Sequence, residues 1–246
     1  MLKVININSR IDLTQVDCAF IMQIINMAEQ FHSWNKCWEK TNSLSPLLVN
    51  TPVFLLNEES MPKYGYDEYK EKNDNSPPTE MLGFYMRTGF YKSPELKPAV
   101  YICPEKIYKH KYKKGIGYHL LLTKIIIHEF AHAIMDYENE NSKVDTSEGF
   151  YRWIEEPFAN WFVLKYFESY GYGDAFNKVA EFIKDQPINY RLGWNFSFSG
   201  IDENLWSRWS MIKGKVTNRK KKRWLKFAHQ SKDYTNVSDE LKYLLK

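Results

Sequence analysis

Cysteine is scarce in this chain. Cys18, Cys37 and Cys103 are an odd number of thiols with no C-x-x-C spacing, which excludes a disulfide-built scaffold and a cysteine zinc cluster. Long hydrophobic runs are also missing. None exceeds five residues (Cys18 to Met22, Ala99 to Cys103), and Ile125-Ile126-Ile127 is preceded by Lys124 and closed by His128 and Glu129, far short of the roughly 18 apolar residues of a membrane span. The opening MLKVININSRIDLTQVDC has no basic flank followed by an apolar stretch and a small-residue cleavage site. The expectation is a soluble, cytoplasmic protein of a reducing compartment, without a membrane partner. A strong charge bias is absent too: 34 Lys+Arg against 30 Asp+Glu leaves +4, too little to imply a polyanion partner for the chain as a whole. No internal repeat is present.

What is present is enough to build a core. Of 246 residues, 43% are hydrophobic and 26% charged, which excludes disordered and collagen-like classes. Aromatics make up 16%, enough to fill a core or line a cleft. Apolar spacing predicts a first helix over 12–31, with Asp12 or Thr14 as its cap. Short strands are expected at 52–56, 81–87 and 99–103, where β-favouring residues such as Phe84, Tyr85, Val100, Tyr101 and Ile102 cluster. The polar stretch 63–80, with Pro77-Pro78, reads as a surface loop or insertion. The strongest helix runs over 118–137, behind Gly115 and Gly117. A loop over 138–148 then leads to a helix over 154–170, which tolerates Pro157 only in its first turn and ends at Gly171. Further helices are expected at 174–186, 203–211, 218–229 and 238–245.

The chemistry is concentrated in His128-Glu129-Phe130-Ala131-His132, an H-E-x-x-H pattern in the middle of the strongest helix. Residues four apart lie one above the other on a helix face. His128 and His132 are therefore spaced to ligate one tetrahedral Zn²⁺ at about 2.0–2.1 Å. Glu129 is placed beside them to take a proton from a metal-activated water. A catalytic zinc needs a third protein ligand and an open position. Glu155 and Glu156 both lie within reach, and helical periodicity does not choose between them. Asn160, four residues after Glu156 on the same face, favours Glu156, because ligand histidines usually donate their second N–H to such a partner. Without a metal or other partner, a histidine pair between Ile125-Ile126-Ile127 and Ala133-Ile134-Met135 would be costly to bury.

These residues resemble the zincin metallopeptidases, and among them the gluzincins, in which two H-E-x-x-H histidines and a glutamate hold zinc. Glu156-Pro-Phe-Ala-Asn160 is similar to the segment that carries the glutamate ligand, with an Asp or Asn four residues on. Ala99-Val-Tyr-Ile-Cys-Pro-Glu105 resembles the strand ahead of the active-site helix in small gluzincins. The likeness covers about residues 81–193 and departs from the metzincins, since Glu138 stands where their third histidine would be. It implies an α+β fold with a zincin-like core: a small sheet, an active-site helix, a glutamate-ligand helix and a peptide bound along a strand edge. The activity implied is zinc-dependent hydrolysis of peptide bonds in a peptide or protein substrate, with one Zn²⁺ per chain, Glu129 as base, His128, His132 and Glu156 as ligands and Asn160 behind them. Such peptidases add a donor for the developing oxyanion; Tyr151 and Tyr190 are candidates that the abundance of aromatics leaves undecided.

The expected organisation is a catalytic domain over 1–193 and a helical, basic extension over 194–246 packed on it. That basic character is local. Met211 to Lys226 holds eight cations (Lys213, Lys215, Arg219, Lys220, Lys221, Lys222, Arg223 and Lys226) and no acid, so the remaining residues carry a net −4 against the chain's +4. A solvated helix face is the plain reading, since no base-reading motif accompanies the charge. The alternative function is a non-catalytic or regulatory protein on the same fold, acting through a partner or through nucleic acid bound at Lys213 to Lys226.

Overall fold

A computed structural model describes residues 4–10, 51–61, 82–86, 99–137, 152–170, 173–187, 190–193, 217–230 and 243. The expected helices at 12–31, 203–211 and 238–245 and the loops at 63–80 and 138–148 lie outside these residues, apart from Tyr243. The described elements are mixed α and β: one small four-stranded sheet and several helices. The chain divides into two compact units, Met1–Glu29 with Ser43–Tyr137, and Gln30–Asn42 with Glu138–Lys246.

The first unit holds the sheet. Strands β1 (Val4–Asn6), β2 (Val53–Leu55), β3 (Gly83–Met86) and β4 (Ala99–Ile102) lie in the order β1-β2-β4-β3. The first three are parallel and β3 runs antiparallel on β4. β4 is central and wholly buried, which accounts for its unbroken apolar sequence Ala-Val-Tyr-Ile, since a strand covered on both faces shows no alternation. Its register pairs Tyr101 with Phe54 on one side and Phe84 on the other. The three rings stack across the strands, with centroids 5.2 and 4.7 Å apart. They form a core face with Leu56, Met61, Met86, Ala99 and Cys103.

Two helices follow: α1 (Pro104–Lys114) and α2 (Tyr118–Tyr137). Periodicity assigns nothing to 104–114, yet the boundary signals are there. Pro104 opens α1, Glu105 lies in its first turn, and Gly115, at φ 66°, closes it in the left-handed conformation that glycine adopts at least cost. The α2 bounds agree with those read from the sequence. This helix packs on β3 and β4, and Gly83 shows how closely: a Cβ there would stand 2.9 Å from Ile125 Cγ2 and 2.9 Å from Ile102 Cδ1. The missing side chain lets the helix seat against the edge strand, one turn before His128. β1 is a further element that periodicity did not assign. It is held at its far end by an Asx turn, with Ser9 N–H donating to Asn6 Oδ1 at 2.8 Å.

In the second unit, α3 (Arg152–Tyr170) begins two residues earlier than expected, so Pro157 falls inside the helix rather than in its first turn. The proline removes one N–H from the helix ladder. Dense packing compensates, with Phe158, Ala159, Trp161, Phe162, Val163 and Leu164 all buried. α4 (Ala175–Lys184) packs on α3 through Val179, Ala180, Phe182 and Ile183. Residues 190–193 are helical, and their Gly193 lies directly on α3. A Cβ at that position would come 2.4 Å from the Pro157 carbonyl oxygen and 2.6 Å from Asn160 Cβ. The last described helix is α5 (Asn218–Gln230). No described helix is long and apolar enough to cross a membrane.

Candidate metal centre

His128, Glu129 and His132 lie in the second half of α2, and all three are buried, at 5%, 7% and 9% exposure. The surrounding sequence explains why. Leu121, Leu122, Ile125, Ile127, Phe130, Ala131 and Ala133 are buried on the same helix. A helix apolar almost all round has no solvent face on which to place a charge. Three ionisable groups in its middle are thus held where burial costs free energy unless they have partners.

The imidazoles meet at their tips. His128 Nε2 and His132 Nε2 are 3.3 Å apart, with the rings nearly perpendicular at 78°. Two ring nitrogens facing each other at that distance need a hydrogen between them, carried by one ring in its Nε2–H tautomer, or a cation held by both. Nitrogens each about 2.0–2.1 Å from a tetrahedral ion stand about 3.3–3.4 Å from one another, so the pair is already spaced as zinc ligands are. Glu156 completes the group. One ligand atom from each of His128, His132 and Glu156 lies within 4.8 Å of the other two. Two neutral imidazoles and a carboxylate form a donor set that suits zinc.

Glu155, the alternative ligand, is more deeply buried than Glu156 but does not belong to this group. Asn160 is fully buried. Its Nδ2 donates to Gln186 Oε1 at 3.2 Å and to the Tyr190 carbonyl oxygen at 3.0 Å. With both N–H groups so used, the amide's orientation is set. Tyr190 therefore meets α3 through its backbone carbonyl, and Tyr151 lies outside the described residues. No sequence pattern points to Gln186, which holds Asn160 from 26 residues downstream, or to Gly193, which packs beside it. It also passed over Lys124. This lysine is buried at 4%, four residues before His128, and continues the row of the two histidines by one turn.

Cys103 shows what burial does to a thiol. Loss of solvation raises its thiol to about 11, with the Glu105 carboxylate adding to the rise and the Lys106 backbone opposing it. It is an inert core residue rather than a nucleophile. Tyr118, at the start of α2, is likewise raised, first by burial and then by Glu105. Compared with family models, with curated proteins and with solved structures, the chain matches none.

Proposed function

We propose that this chain is a zinc-dependent peptidase of gluzincin type that hydrolyses peptide bonds in a peptide or protein substrate. The observation that carries the reading is the convergence of ligand atoms: two imidazole nitrogens 3.3 Å apart with a carboxylate in the same group, on a buried H-E-x-x-H helix. His128, His132 and Glu156 would hold the ion. Bound there, zinc supplies a Lewis acid that lowers the pKa of water to about 7 and polarises a carbonyl. The remaining steps belong to the chain. The Glu129 carboxylate, next to His128 but outside the ligand group, takes the proton of the attacking water and passes it to the leaving amine. Its burial keeps bulk water from competing for that proton. Asn160 Oδ1 orients a ligand imidazole by accepting its second N–H.

The test joins metal analysis with turnover. The purified chain is expected to carry about one zinc, the stoichiometry of a catalytic site, and His128→Ala, His132→Ala and Glu156→Ala should each lower that content. Glu129→Gln should keep the metal and lose peptide cleavage by about 10²–10⁴-fold, the usual contribution of a general base. A chain that takes up no zinc sinks the reading. A Glu129→Gln variant as active as the parent removes Glu129 from its role.

A further inference from the structure

We draw no further inference here: the strongest candidate, the stripe of exposed cations Arg219, Lys222 and Lys226 along one face of α5, is a charged helix face for which nothing in the structure shows what covers it, nucleic acid, acidic peptide or solvent.

Discussion

Substituting Asn160 in two ways separates its structural work from its proposed work at the metal. Its two N–H groups hold Gln186 Oε1 and the Tyr190 carbonyl at 3.2 and 3.0 Å. Gly193 packs against it so closely that a Cβ there would stand 2.6 Å from the Asn160 Cβ. Asn160→Ala removes both donors. Gln186 is half-buried and can recruit water, so the main loss is one orphaned carbonyl and a small cavity, about 2–3 kcal/mol. For a chain of this size that lowers the melting temperature by roughly 4–12 °C. Asn160→Asp instead turns an anionic oxygen toward two acceptors in a fully buried position, and an unpaired buried charge costs about 3–5 kcal/mol. Zinc affinity should follow the opposite order. Aspartate keeps the acceptor for an imidazole N–H, whereas alanine loses it and should bind zinc about 10–100-fold more weakly. Thermal unfolding gives one ranking and competition against a fluorescent zinc chelator gives the other. If aspartate and alanine rank the same way in both assays, Asn160 is a packing residue and has no part in holding the metal.

The other predictions are direct. Zinc at about a thousand times its dissociation constant should stabilise the chain by about 4 kcal/mol, or roughly 8–16 °C by differential scanning fluorimetry; a chelator should abolish the shift, and His132→Ala should not show it. Gly193→Ala drives a Cβ against backbone at 2.4 Å and should cost about 3 kcal/mol, while Gly83→Ala meets Ile102 Cδ1 and Ile125 Cγ2 at 2.9 Å and the Tyr101 carbonyl oxygen at 3.1 Å and should cost about 1–3 kcal/mol; urea midpoints give both values. Cys103, raised to about 11 from an ordinary 9.0, should resist alkylation at pH 8 until the chain is unfolded. The sign of its pH effect follows from the rise. Below pH 9 the thiol is protonated folded or unfolded and contributes nothing to the pH dependence. Between 9 and 11 only the unfolded thiol ionises, so stability falls with rising pH, and Cys103→Ala should flatten that part of the profile.

Sequence pattern located the strongly periodic parts and lost the weakly periodic ones. The helix over 118–137 was legible because an apolar stretch of that length behind Gly117 has one economical conformation. The strand at 99–102 was legible from β-favouring residues bounded by Pro98 and Pro104. Helix α1 was not, because Lys106, Tyr108, Lys109 and His110 show no apolar period, and only its end signals, Pro104 and Gly115, report it. β1 was missed because three residues are too short to carry an alternation. Its place depends on pairing with β2 some fifty residues away, which is a tertiary fact. At the site, spacing alone set His128 over His132, since four residues of helix do that in any protein. Glu155 and Glu156 are different. They are neighbours whose side chains leave the helix about 100° apart, so a choice between them turns on the direction from which α3 presents itself, and no local pattern encodes that. Asn160 was the one local pointer, because it shares a face with Glu156 and not with Glu155. Its amide is fixed instead by Gln186 and the Tyr190 carbonyl, contacts made far downstream that no local pattern reports.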